Sequence, residues 1–143
     1  MTPVTFVGTA EVPAGARPRW SIPISVPAVN VVDRYLAAVA TQDWSVARDC
    51  LAQDVRRVGP FEDVYEGRES YLDFLRQLMP TLPGYRMDVK RVLTAEEGRT
   101  VVAELSETAE DSGEPRQTHE SLVFDLDPTG LISHISIYIQ RAG

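Results

Sequence analysis

The chain has 143 residues, a formal net charge of −7, 43% hydrophobic residues and 24% charged residues. That length fits one domain with its own hydrophobic core, and the acidic balance excludes nucleic acid and anionic membranes as expected partners, since both require clustered Lys and Arg. No apolar run approaches the roughly 18 residues of a membrane span, and the N-terminus lacks a basic start followed by an apolar run, so a cytoplasmic protein is expected.

Residues 1–28 read as a proline-rich arm, with Pro3, Pro13, Pro18, Pro23 and Pro27. Proline lacks the amide donor and clashes with the preceding turn, so helix is not expected there. Val4-Thr5-Phe6-Val7 and Ile22-Pro23-Ile24-Ser25-Val26 are expected to lie extended, with Trp20, Ile22, Ile24 and Val26 docking on the domain or on a second subunit. The domain proper is expected over residues 29–143. Val29, Val32, Leu36 and Val39 recur at helical spacing and predict a helix over residues 29–40. Asp43 can cap a second helix over residues 44–51. The only cysteine, Cys50, lies in it and reads as a small packed residue, and no disulfide or cysteine-based zinc site can form within one chain. Residues 54–58 read as a short strand ended by Gly59-Pro60. Gly67 can start a third helix over residues 68–79, whose face holds Tyr71, Phe74, Leu75 and Leu78; Pro80 and Pro83 stop it.

Four strands follow, over residues 85–93, 100–108, 117–126 and 131–140. Glu96-Glu97-Gly98, Asp111-Ser112-Gly113 and Asp127-Pro128-Thr129-Gly130 supply the turns. Short turns between consecutive strands imply antiparallel pairing, and helices gathered ahead of the sheet imply an α+β class. The expected architecture is a cone: a curved antiparallel β-sheet wrapped around helices packed at its N-terminal side, enclosing one internal pocket.

This order of elements, with Val31-Val32-Asp33-Arg34-Tyr35 and Asp43-Trp44, resembles the nuclear transport factor 2-like superfamily and, within it, the SnoaL-like and ketosteroid isomerase-like branch. The resemblance covers residues 29–140. It places Tyr35 where ketosteroid isomerases carry an oxyanion-hole tyrosine, and Glu120 where they carry the protonated aspartic acid of that hole. Their catalytic base would precede Pro60, where this chain has Gly59. Limonene epoxide hydrolases are similar in outline; their arginine and two aspartates align with Leu105, Glu107 and Ser136. Scytalone dehydratases use two pocket histidines, and His119 and His134 are the two histidines here.

Strand parity sorts pocket from outer surface. If Glu120 faces the cone, so do Thr118, Leu122 and Phe124, while His119, Ser121 and Val123 face away. The register that the resemblance implies turns Arg57 and Gly59 inward on the first strand, and Leu105 and Glu107 share the inner face of the third. His134, Ser136 and Tyr138 share one face of the last strand; Ile135, Ile137 and Ile139 share the other, which is either core or a dimer interface. Taking it as an interface puts the polar face in the pocket.

The candidate catalytic residues are therefore Tyr35, Glu120, His134 and Arg57. Candidate substrate-binding residues are Tyr65, Tyr71, Phe74, Leu105, Glu107, Leu122, Ser136 and Tyr138. A carboxyl group in an apolar pocket loses solvation and gains proton affinity, so Glu120 could donate to an oxyanion beside the Tyr35 hydroxyl; the handling of such a pair in ketosteroid isomerase is well established. Alternatively Glu120 is ionised, pairs with Arg57 or His134, and acts as a base. Plainer alternatives are a salt-bridge partner for Glu120, a structural histidine at His134, a rim packing role for Tyr35, a solvated strand-end charge for Glu107, and core packing for Tyr65, Tyr71 and Phe74. No metal site and no cofactor are expected.

These residues imply a cofactor-independent enzyme doing enolisation-type acid/base chemistry, such as isomerisation, cyclisation or dehydration, on a hydrophobic carbonyl-bearing small molecule, and the SnoaL-like resemblance implies a place in secondary metabolism. A non-catalytic binding or dimerisation module and an epoxide hydrolase-like enzyme are the alternatives. A homodimer through the convex sheet face is expected, because Val123, Ile135, Ile137 and Ile139 would otherwise leave an exposed apolar patch.

Overall fold

The computed structural model describes residues 22–140, with side chains from residue 30 onward. The extended piece expected at Val4 to Val7 and the docking of Trp20 lie outside the described residues.

Helix α1 spans Ile22–Thr41. It begins well before the expected residue 29, so Ile22 to Val26 are helical and not extended. Pro23 falls in the first turn, where a missing amide costs no intrahelical bond. Val32, Tyr35, Leu36 and Val39 are all buried, and this i, i+3, i+4, i+7 stripe is the face turned to the sheet. Helix α2 spans Trp44–Cys50; the Asp43 carboxylate caps it by accepting from the Val46 amide at 3.3 Å. Cys50 is fully buried, and burial pushes its thiol up, as suits a packing residue.

Strand β1, Leu51–Val58, starts directly after the helix, three residues ahead of the expected position. Leu51, Ala52 and Val55 are buried because β1 is an interior strand with neighbours on both edges. Strand β2, Val64–Glu66, is an addition to the expected elements, because three residues are too few to show a period. Helix α3, Arg68–Leu78, begins after Gly67, buries Tyr71, Leu72 and Leu75, and tightens into a 3₁₀ turn at Met79–Thr81 around Pro80. Strands β3 (Arg86–Ala95), β4 (Thr100–Asp111), β5 (Glu114–Leu126) and β6 (Ile132–Ile139) follow. Ser112 and Gly113, with φ of 57° and 84°, turn β4 into β5; two consecutive left-handed residues match the twist of a tight hairpin.

The six strands form one sheet in the order β2-β1-β6-β5-β4-β3. Its pairs are antiparallel except β1 with β6, which run parallel. The sheet is thus mixed rather than purely antiparallel. Short turns dictate antiparallel neighbours, but β1 and β6 are far apart in sequence, so no turn fixes their direction.

Register corrects one reading of the last strand. Ile135 pairs with Phe124, Ile137 with Leu122 and Ile139 with Glu120. Directly paired residues share a face, so the isoleucines lie on the helix side, with the core residues Phe124 and Leu122. His134, Ser136 and Tyr138 pair with Asp125, Val123 and Ser121 on the outer face. The isoleucine patch expected to drive dimerisation is therefore absent from the convex face: Ile135 is core, Ile137 packs against the core, and Ile139 lies on the same inner face.

Candidate functional site

Polar side chains from five elements and the loops between them meet on the helix side of the sheet. Tyr35 comes from α1, Tyr71 from α3, Arg57 from β1, Glu107 from β4 and Glu120 from β5, with Tyr85 just ahead of β3. The backbone explains why they converge. Arg57 shares its face with Ile135 across the parallel pair, and with Tyr65 across β2. Glu120 pairs with Leu105, and Glu107 with Thr118, so the two carboxyls lie diagonally on one face of the β4–β5 ladder.

Arg57 is buried, at 8% exposure. Its guanidinium lies 5.2 Å from the Phe74 ring centre and 5.8 Å from those of Tyr65 and Tyr71. Tyr65 and Phe74 stack at 4.3 Å. Aromatic faces stabilise a desolvated cation, and a carboxylate completes the site: Arg57 Nη1 bonds Asp63 Oδ2 at 2.5 Å. Arg57 Nε is buried with no hydrogen-bond partner among the described residues.

The Tyr35 and Tyr71 hydroxyls are 2.5 Å apart, and the Tyr35 ring meets Phe124 edge-on at 5.9 Å. Burial pushes both phenols up, so they stay neutral donors. The Tyr85 hydroxyl donates to Glu107 Oε2. Burial first, and then the hydrogen-bonded Glu107 and its charge, push the Glu120 carboxyl up to about 9, against a smaller opposing effect of Arg57. At neutral pH, Glu120 is consequently a neutral acid that can donate. The site combines a neutral carboxyl, a tyrosine pair and a buried cation, which are the groups needed to stabilise negative charge developing on a ligand oxygen.

Of the twelve candidate residues, the structure brings Tyr35, Arg57, Tyr65, Tyr71, Phe74, Leu105, Glu107, Glu120 and Leu122 to the helix side. It does not bring His134, Ser136 and Tyr138 there. His134 Nδ1 lies 3.5 Å from Ser136 Oγ and 3.9 Å from Asp125 Oδ2, and Tyr138 is 60% exposed. Parity alone could not choose between the two faces of β6; pairing with β5 does. An open groove of about 440 Å³ crosses β4, β5 and β6, touching Glu120, Leu105 and Tyr138 along with Glu104 and His119. Two members escaped sequence reasoning. Tyr85 carries no sequence signal beyond the start of a strand. Asp63 sits in the loop after Gly59-Pro60, and the tight Gly-Pro turn was the signal that this loop folds back.

Among the described residues, no group of three or more His, Cys, Asp or Glu side chains is arranged to hold a metal ion. None of the described helices is long and apolar enough to cross a membrane.

The model of the SnoaL-like domain family matches residues 32–135. Among solved structures, a protein from Kribbella flavida provisionally named a ketosteroid isomerase superposes with TM-score 0.72 at 19% identity, over 83% of this chain and 82% of its own. One from Xanthomonas campestris pv. campestris, provisionally named a polyketide cyclase, gives 0.68 at 24% identity, over 80% and 90%. An epoxide hydrolase of M. tuberculosis, described as LEH-like, gives 0.71 at 19% identity, over 82% and 86%. At these identities the likeness is one of fold. Comparison with curated protein sequences finds no match.

Proposed function

The chain belongs to the SnoaL-like domain family, and from that membership and its buried acid cluster we propose a cofactor-independent enzyme doing enolisation-type chemistry on a hydrophobic, carbonyl-bearing small molecule. Isomerisation, cyclisation and dehydration share the same first demand. A proton leaves the carbon beside a carbonyl, and negative charge grows on the carbonyl oxygen. Donors already aimed at that oxygen in a water-poor site lower the barrier, because they need no reorganisation as charge appears.

The observation that carries this reading is geometric: the half-buried Glu120 carboxyl sits beside Glu107 in one cluster with the Tyr35–Tyr71 hydroxyl pair, where burial and the neighbouring carboxyl raise its proton affinity. A carboxylic acid that keeps its proton at neutral pH is a strong donor to an oxyanion. The apolar wall of Leu105, Leu122 and Phe74 suits a hydrophobic substrate body. Self-association belongs to the same reading, now through the outer face with its exposed Tyr138; a monomer by light scattering at micromolar concentration would remove that part.

The test is deuterium uptake at the activated carbon of β-tetralone in heavy water, followed by proton NMR. The wild type is expected to accelerate exchange. Glu120→Gln keeps a neutral donor and is expected to retain most of the rate, whereas Glu120→Leu is expected to lose about 10²–10³-fold. Abolition of exchange by Glu120→Gln would make Glu120 a base and not a donor. Absence of exchange in the wild type would refute the enolisation reading.

A further inference from the structure

We propose that Asp63 is the proton acceptor of this site, an inference that rests on the enolisation reading and deepens it. Removing a proton from carbon needs an ionised base within reach of the bound substrate. Three carboxyls belong to the cluster, and their surroundings separate them. Glu120 holds its own proton. Glu107 shares the proton of Glu120 through their hydrogen bond and accepts from Tyr85, so it is committed to the donor side of the cluster. Asp63 is held as an anion. Burial alone would raise its proton affinity, but the hydrogen bond from Arg57, its own backbone amide, the Arg57 charge and the Phe61 amide carry its pKa below the ordinary value.

Geometry gives Asp63 its position. Gly59 follows β1 and continues the inward parity of Arg57. The Gly59 amide donates to the Asp63 carbonyl at 2.8 Å, closing a tight turn that folds the aspartate back over the glycine. A Cβ added at Gly59 would stand 2.5 Å from Asp63 Oδ2 and 2.6 Å from Arg57 Nη1, and closer still to Asp63 Oδ1. Real Cβ atoms do not approach other atoms so closely, so a side chain here would push the ends of Asp63 and Arg57 out of this arrangement. In effect, the side chain of position 63 fills the space that a side chain at position 59 would occupy.

The carboxylate is also oriented. Arg57 Nη1 takes Oδ2 at 2.5 Å, and the Phe61 amide approaches Oδ1 at 3.3 Å. A carboxylate has about four acceptor sites, and Arg57, the Phe61 amide and the Asp63 amide take three, so one is left to receive a proton. The Asp63 side chain is 38% exposed against 10% for Arg57, so its carboxylate can be reached from solvent while the guanidinium is covered. In the step, the bond from the activated carbon to hydrogen breaks and the proton passes to Asp63 Oδ1. The freed electron pair forms the enol double bond, and the carbonyl π pair moves to oxygen, facing Glu120 and the tyrosines. Asp63 then returns the proton to the same carbon or to another. The Arg57 bond weakens the base but keeps it ionised, and the oxyanion donors offset the loss in driving force.

The experiment measures β-tetralone exchange and β-tetralone binding in parallel for wild type, Asp63→Asn, Gly59→Ala and the double variant Gly59→Asp with Asp63→Ala. Asp63→Asn is expected to lose roughly a hundredfold or more in exchange rate while keeping its affinity. Gly59→Ala is expected to lose exchange as well, because the new methyl displaces the carboxylate while the core stays folded. The double variant, which moves the carboxylate to position 59, is expected to recover part of the rate. Retention of the wild-type rate by Asp63→Asn would overturn the assignment of Asp63 and leave the enolisation reading standing. Equal loss of binding and exchange would also overturn it, making Asp63 a positioning residue for Arg57. A wild type that binds without exchanging would overturn both together.

Discussion

Glu104 and Glu120 occupy neighbouring places in the same β4–β5 ladder, yet they behave oppositely. Glu104 pairs across from Ser121, and Leu105 from Glu120, so one step along the strand turns a glutamate from the outer face to the inner one. Outside, Arg91 holds Glu104 with two hydrogen bonds of 2.7 and 3.1 Å and pulls its pKa below 4.5. Inside, burial and Glu107 push Glu120 up to about 9. Residue type does not decide the chemistry of a carboxyl here; the face it is turned to does. The outer face carries solvated ion pairs and one exposed tyrosine, while the inner face carries a polar cluster embedded in the core.

Paired substitutions on the two faces sharpen that contrast. The largest effect is expected at the core. Phe124→Ala, at a fully buried ring packed against Tyr35, should cost about 3–5 kcal/mol in denaturant unfolding, whereas Val123→Ala on the opposite face should cost far less. Equal losses would mean that the two faces are equally buried.

The next effect is a pH dependence. A carboxyl whose folded pKa is raised binds its proton more tightly in the folded state. Its stabilising contribution is thus fully present below 4.5, the ordinary value, and is lost as pH rises towards about 9. Stability should fall across that window with a slope of at most about 1.4 kcal/mol per pH unit, and Glu120→Gln should flatten it. Glu104 has the opposite sign: its contribution is present above 4.5 and fades only as pH drops through its lowered value. A slope unchanged by Glu120→Gln would break the comparison.

Smaller still is the tyrosine pair. Tyr35→Phe removes one partner of a buried hydroxyl bond and should cost about 1 kcal/mol, against a change within about 0.5 kcal/mol for the exposed Tyr138→Phe. The smallest change is expected for Glu104→Gln, about 0.2–1 kcal/mol and shrinking with added salt, since its ion pair with Arg91 is solvated.

The helices and long strands were legible because their burial is periodic. Val32, Leu36 and Val39 announce α1 at helical spacing, and alternation on β4 placed Leu105 and Glu107 on one side. Periodicity could not say where α1 begins, because Pro23 and Pro27, which lack an amide and clash with the preceding turn, read as breakers. It could not find β2, whose three residues carry no period. Nor could it orient β6. Alternation divides a strand into two faces without naming the inner one, and only the pairing of Ile135 with Phe124 settles that. The site was legible to the extent that its members sit on periodic elements, as Tyr35, Arg57, Tyr71, Glu107 and Glu120 do. Asp63 and Tyr85 sit in loops, where the chain's path is set by turn geometry and tertiary contact.

Whether Glu120 keeps its proton at neutral pH can be read directly from its titration. Carbon-13 NMR of the glutamate side-chain carboxyls, with Glu120 assigned by comparison with Glu120→Gln, should show its midpoint near 9 while Glu104 titrates below 4.5. A Glu120 midpoint at the ordinary carboxylate value of 4.5 would contradict the account.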